Sequence, residues 1–258
     1  MKKFFASAIL ILIVLTNSWS QEMVDTSKPG KNLVKFNFSG LFVGNYIAQY
    51  ERVVGKRSSL AFTLSVAPNT GLPFKDALME EFSDNEDAKA AIESTLYTKY
   101  NFTLEYRFYL SKGAPKGFYL APFLRYMNME LEQDYPFTPS DGKQHVATVS
   151  SKFGAFGGGL MVGTQWTIKK HWAIDWWIIG GFYGSQIDAD FYGVDPIGGL
   201  STSDQADLEN DIESVDIPGY TIDATVSPNT TGPTQVWVNM KGPYYGIRGA
   251  GLCLAYRF

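Results

Sequence analysis

Apolar and polar residues alternate along most of this chain, with the period of a strand and not of a helix. The clearest run is Thr98–Leu110. There Tyr100, Phe102, Leu104, Tyr106, Phe108 and Leu110 fall on one face, and Asn101, Thr103, Glu105 and Arg107 on the other. Successive side chains of a strand point to opposite faces, so a period of two sets an apolar face against a polar one. Leu33–Phe42, Tyr46–Val53, Ser59–Ala67, Gly117–Asn128, Ser150–Ile168 and Trp172–Tyr183 read the same way. The chain closes on another strand, where Leu252, Leu254, Tyr256 and Phe258 alternate with Gly251, Cys253, Ala255 and Arg257.

The connections sort by length. Val54–Ser58, Ser111–Lys116 and Lys169–His171 are short, while 70–96, 131–149 and 186–243 are long; only the first hairpin, near Val43–Asn45, breaks the pattern. Short turns on one side and long loops on the other is the layout of bacterial transmembrane barrels. The prediction is an all-β, eight-stranded antiparallel up-and-down transmembrane β-barrel over residues 33–258. Its short turns would be periplasmic and its long loops extracellular. A soluble sandwich would also alternate, but its apolar faces would meet in a shared inner core. Here the less apolar face carries Glu51, Glu105, Arg107, Arg125 and Asp175 in mid-strand. Such charges converging in a soluble core would be costly, whereas in a barrel lumen they can pair. These five residues are therefore the expected lumenal ion-pair network, with Gly157 and Gly159 leaving room for Trp177. Trp166, Trp172, Phe108, Phe118, Tyr256 and Phe258 fall near the short-turn ends, where an interfacial aromatic girdle belongs.

The N-terminus reads as a secretion address. Lys2 and Lys3 precede an apolar run from Phe4 to Leu15, and Ser18-Trp19-Ser20 offers small residues for cleavage near Gln21. Residues 1–20 are the expected signal peptide and 21–32 a periplasmic segment. The apolar run is shorter than the roughly 20 residues a spanning helix needs. No cysteine follows it to carry a lipid anchor.

A last strand with Tyr256 and a terminal Phe258 resembles the assembly signal of outer-membrane barrels, which implies barrel assembly machinery as a partner during biogenesis. In architecture the chain is similar to the small barrels typified by outer membrane protein X and the barrel domain of outer membrane protein A. Tyr50-Glu51-Arg52, Leu104-Glu105-Tyr106-Arg107-Phe108-Tyr109 and Phe123-Leu124-Arg125-Tyr126 resemble an uncharacterised family of small bacterial barrels. That resemblance implies fold and an outer-membrane location, in contact with lipid and lipopolysaccharide. It implies no catalytic residues.

Composition narrows function. The formal net charge is −4, and loss of Lys2 and Lys3 takes it to −6, which argues against nucleic acid as a partner. The single cysteine, Cys253, permits no internal disulfide, and two histidines make no histidine-rich metal site. The 70–96 loop should hold a helix, with Ser83-x-x-Glu86 as a capping box and Ala88, Ile92 and Leu96 at helical spacing. The 186–243 segment carries ten acidic residues against Lys241. Asp188, Asp190 and Asp195 within it are candidate calcium ligands, although their spacing is not that of an EF-hand. Gly219–Asp223 and Thr234–Met240 could extend a hairpin above the barrel.

His145, with Ser140, Asp141, Ser150 and Ser151 nearby, sketches a hydrolase set, but proximity along a loop is not a triad. The expectation is a non-enzymatic protein without a cofactor, structural or surface-binding through acidic loops, with room for an envelope protein partner. A narrow channel and a lipid A-modifying enzyme are the alternatives.

Overall fold

The computed structural model describes residues 30–81, 86–110, 113–215, 217–228 and 230–258. The expected signal peptide, most of the 21–32 segment, Ser83 of the expected capping box and Asp216 lie outside the described residues. Among the described residues, nine strands form one antiparallel sheet. They are β1 (Asn32–Asn37), β2 (Tyr46–Val53), β3 (Ser58–Gly71), β4 (Leu96–Tyr109), β5 (Gly117–Phe137), β6 (His145–Ile168), β7 (Trp172–Asp195), β8 (Thr221–Val226) and β9 (Thr234–Arg257). The pairings run β1-β2-β3-β4-β5-β6-β7-β9, and β9 pairs back onto β1 to close a ring. Of the described strands, β8 stands outside that circuit and pairs with β9 alone. At the closing seam Leu33 faces Arg257 and Asn37 faces Cys253. The Phe258 N–H donates to the Asn32 carbonyl at 2.9 Å.

The ring is uneven. β1 and β2 have 6 and 8 residues, and β3 and β4 have 14 each. β5 has 21, and β6, β7 and β9 have 24 each. The long strands rise on the loop side into a tall extension, which changes the picture of two expected loops. Strand fills much of 131–149, because β5 runs to Phe137 and β6 starts at His145. It also fills much of 186–243, through the ends of β7 and β9 and all of β8. Alternation persists there, with Glu130, Glu132 and Asp134 exposed and Leu131 and Gln133 half-buried between them. A polar outer face looks like loop composition, yet the backbone ladder does not depend on it. β8, paired from Thr221↔Lys241 to Val226↔Val236, forms the hairpin arm expected in this region.

The first strand stops earlier than its pattern suggests. The Asn37 side chain accepts from Ser39 Oγ at 2.8 Å and Gly40 N–H at 2.9 Å, which turns the chain into a 3₁₀ segment, Ser39–Val43. Gly44 then takes the left-handed conformation, φ 65°, to enter β2.

Among the described residues, three helices lie on the loop side: α1 (Lys75–Glu81), α2 (Glu86–Ser94) and α3 (Thr202–Glu213). α2 is the expected loop helix, except that Leu96 begins β4 instead of extending the helix. Ser94 ties it to β5 by donating its hydroxyl to the Asp134 carbonyl at 3.0 Å. α3 has a complete capping box, in which Ser201 Oγ accepts from the Asp204 N–H at 3.2 Å. No helix among the described residues is long and apolar enough to cross a membrane.

Within the ring, the apolar residues point out. Phe62, Leu104, Leu124 and Leu252 keep 47%, 50%, 51% and 47% of their surface exposed. The charged residues between them point in and are sealed.

Candidate functional site

The inner face of β1–β7 and β9 stacks into layers. The floor, on the short-turn side, is apolar: Leu33, Ala173 and Ala255, with Val53 against them. Above it lies an ionic layer in which Lys35, Glu51, Glu105, Arg107 and Asp175 have fully buried side chains. Arg107 is its hub. Its Nη1 donates to Asp175 Oδ2 at 2.7 Å, its Nη2 to Gln49 Oε1 at 2.8 Å and its Nε to Glu105 Oε2 at 3.0 Å. Its guanidinium also lies 4.5 Å from the Tyr119 ring centre. Lys35 pairs with Glu51 and with Asp175, the latter at 2.6 Å, and donates to Gln165 Oε1 at 2.6 Å.

The carboxylates are equally engaged. Glu51 accepts from Ser59 Oγ at 2.5 Å and Tyr109 Oη at 2.6 Å, and Asp175 accepts from Tyr119 Oη at 2.8 Å. Buried ions are tolerated when paired and hydrogen-bonded, and removal of one partner leaves the other uncompensated.

Four of the five residues expected in the lumenal network meet here: Glu51, Glu105, Arg107 and Asp175. Arg125 does not join the ion pairs. Its Nε donates to Thr103 Oγ1 at 3.2 Å, and its guanidinium lies 5.2 Å from the Phe182 ring centre. Two cations were missing from the expected set. Lys35 sits on the polar side of the β1 alternation, which was a readable signal. Arg248, whose Nη2 pairs with Glu105 Oε1 at 2.5 Å, was hidden by a change of phase. Counting back by twos from Phe258 places Arg248 outside. At Gly249 and Ala250 two successive residues face out, with Ala250 at φ 53°, and Arg248 turns inward.

Glycines make room for the ring systems here, but in a different pairing from the expected one. A side chain on Gly251 would meet Trp177 at 2.7 Å, and one on Gly159 would meet Phe123 at 2.8 Å.

The lumen stays filled above this level. Met127, Phe153, Ala155, Ile187, Ala189 and Tyr244 form an apolar cluster. In the extension, Leu200, Leu208, Val226 and Val236 form another, with Phe137, Ile212 and Val238 packed around it. A cavity of about 210 Å³ lies between the extended sheet and α3, lined by Phe137, Phe191, Leu208, Ile212, Val236 and Met240 among others.

His145 opens β6 at the base of the hairpin tip and is 1% exposed. Its Nδ1 lies 2.6 Å from Asp195 Oδ2, and Asp195 also accepts from the backbone N–H groups of Ile197 at 3.1 Å and Gly198 at 3.0 Å. The pair pins the Asp195–Gly198 turn to the β5–β6 hairpin.

That contact separates the candidate calcium ligands. Asp195 is buried against His145, whereas Asp188 and Asp190 are exposed and share the Asn239 side-chain amide at 2.8 and 2.7 Å. Among the described residues no group of three or more such ligands converges. Of the hydrolase set, His145 Nε2 lies 3.9 Å from Asp141 Oδ2, but Ser140 and Ser151 are engaged elsewhere. Ser140 Oγ donates to Asp204 at 2.9 Å and Ser151 Oγ to the Asp190 carbonyl at 2.8 Å, and His145 Nε2 has no hydrogen-bond partner.

Tyr256 and Phe258 stack outside the ring with centroids 6.5 Å apart, and Trp172 meets Tyr256 edge-on at 5.2 Å. In the extension, hydrogen bonds from the Ser201 side chain and from Ser140 hold the Asp204 carboxyl at about 2, below its usual range.

The family model described as "Protein of unknown function (DUF3575)" matches residues 81–204, just under half of the chain, from the helical loop into the start of α3. No curated protein matches the chain.

Proposed function

We propose that this protein is an integral outer-membrane β-barrel of eight transmembrane strands, β1–β7 and β9. In this reading it is non-enzymatic and has a structural or surface-binding role through its acidic, extracellular extension. One observation carries the proposal: the ring wears its apolar residues outside and seals its charges inside. In water that arrangement would be costly on both counts. In a bilayer the outer band meets lipid, the closed ring leaves no unpaired edge, and Tyr256, Phe258 and Trp172 fall at an interface. A strand needs about 9–11 residues to cross; β1 and β2, with 6 and 8, fall short of that length, whereas the 24-residue strands carry the extension well clear of the lipid.

The test is fractionation of cells expressing the full precursor, followed by electrophoresis with and without heating. The proposal predicts recovery in the outer membrane and a faster, heat-sensitive band. It also predicts that deleting Phe258, the terminal residue of the proposed assembly signal, reduces insertion. A protein released freely with the periplasmic fraction would contradict it.

The filled lumen favours a barrel that does not conduct, so planar-bilayer recording should show no channel steps. A lipid A profile that is the same for the intact protein and for His145→Ala fits the non-enzymatic reading.

A further inference from the structure

The layer just above the ionic network is out of electrical balance. Lys35, Arg107 and Arg248 form ion pairs with Glu51, Glu105 and Asp175, three charges against three. Arg125 adds a fourth guanidinium or ammonium charge and makes no ion pair among the described residues. It is not remote from the others. Arg125 and Arg248 lie 5.7 and 5.2 Å from the centre of the same ring, Phe123, so two like charges lie beside one aromatic ring. Arg248 is 6% exposed and also lies 4.5 Å from the Trp177 ring centre. Its Nη2 is held by Glu105, but its Nη1 is buried with no hydrogen-bond partner.

Two deficits therefore coincide: a donor without an acceptor and a positive charge without a counter-charge. A water molecule would satisfy the donor and leave the charge. Lys99, on the same inner face of β4 and over the Tyr97 ring at 5.2 Å, adds to the positive potential. We infer that the lumen binds a small monovalent anion, a halide or a carboxylate, between the guanidinium groups of Arg125 and Arg248. One negative charge neutralises Arg125, and the same anion accepts from Arg248 Nη1. Guanidinium forks hold oxyanions and halides well in dry surroundings, where charge-assisted hydrogen bonds are strong. The Phe123, Phe182 and Trp177 rings border the two guanidiniums. The site needs only the closed ring, so it is independent of a membrane setting.

The test uses the full-length folded barrel in detergent. Its melting temperature is followed against sodium bromide, and separately sodium formate, with ionic strength held constant by bulky gluconate. Crystals soaked in bromide are examined by anomalous diffraction. The inference predicts a bromide peak between the two guanidiniums and a saturable rise in Tm, roughly 5–10 °C at a hundredfold excess over Kd. A stronger response to bromide assigns the site to halides, and one to formate assigns it to carboxylates. Arg125→Gln should abolish the response. If that variant does not fold, Arg125→Lys keeps the charge without the fork and should raise the half-saturating concentration at least about tenfold. No peak and no saturable response in the intact protein would overturn the inference, as would a response that survives in Arg125→Gln.

Discussion

The ring and the extension are built from the same strands turned inside out. In the ring, β9 points Leu252 and Leu254 outward and keeps Cys253 and Ala255 inside. In the extension, the same strand buries Val236 in the cluster beneath α3. β7 likewise exposes Trp172 and Trp176 low down, then buries Ile187 and Ala189 in alternation with the exposed Asp188 and Asp190. β5 exposes Leu120 and Leu124, then Glu130 and Glu132. In the proposed membrane setting, the surroundings account for the exchange. An apolar outer face is stable against lipid and an acidic one against water, so the place where the faces trade polarity marks the proposed upper edge of the bilayer. The two cores differ accordingly. The lower one adds directional ion pairs to its apolar packing, and the upper one rests on apolar contact.

Removing a lumenal charge should be the most damaging way to disturb this arrangement. Asp175→Ala takes one shared carboxylate from Lys35 and Arg107, leaves the sealed layer with excess positive charge and is expected to cost about 3–5 kcal/mol, with Arg107→Ala similar. Loss of the compact, heat-sensitive band on electrophoresis would register it. Arg125→Ala, outside the ion-pair set, should fall well short of either. Equal losses for Arg125→Ala and Arg107→Ala would erase the distinction drawn between them.

Next in size is Leu208→Ala in α3, expected to cost about 2–5 kcal/mol locally because it leaves a cavity in the upper apolar cluster. Limited proteolysis should then cut within residues 196–233, while the ring keeps its heat-sensitive mobility. If the ring fails as well, the two cores are one cooperative unit.

The smallest effects lie at the α3 cap. Ser201→Ala removes the side-chain acceptor for the Asp204 N–H and is expected to cost about 1 kcal/mol of helix stability. Asp204 is also titratable. Its carboxyl sits at about 2, below the ordinary aspartate value of 3.8, so its contribution is complete above that ordinary value and is lost as pH falls through about 2. Protection of α3 from hydrogen exchange should therefore hold at pH about 4 and drop only near or below pH about 2, with the ring unchanged.

The ring was legible in the sequence and the extension was not, for the same physical reason. Strong amplitude in the alternation, as along Tyr100–Leu110, announces a strand with one face in lipid or core. In β5 beyond Asn128 the amplitude falls, because one face is acidic and the other only half-buried, and the strand passes for loop. α3 was missed although Ser201-x-x-Asp204 and the Gln205, Leu208 and Ile212 spacing mark it. Its acidic residues drew the reading toward a solvated loop. At the site, Glu51, Glu105, Arg107 and Asp175 could be read from mid-strand charge on the small-residue face. Arg248 could not, because the phase change at Ala250 is a backbone conformation and not a residue pattern.

The most direct test of the inside-out account is site-directed spin labelling in lipid bilayers. Single nitroxides would be placed at Leu104 and Leu124 in the ring and at Glu132 and Asp190 in the extension, in a Cys253→Ala background. The account predicts that the ring positions collide with dissolved oxygen and are shielded from a water-soluble nickel chelate, with the reverse in the extension. Equal access of the nickel chelate to all four positions would contradict it.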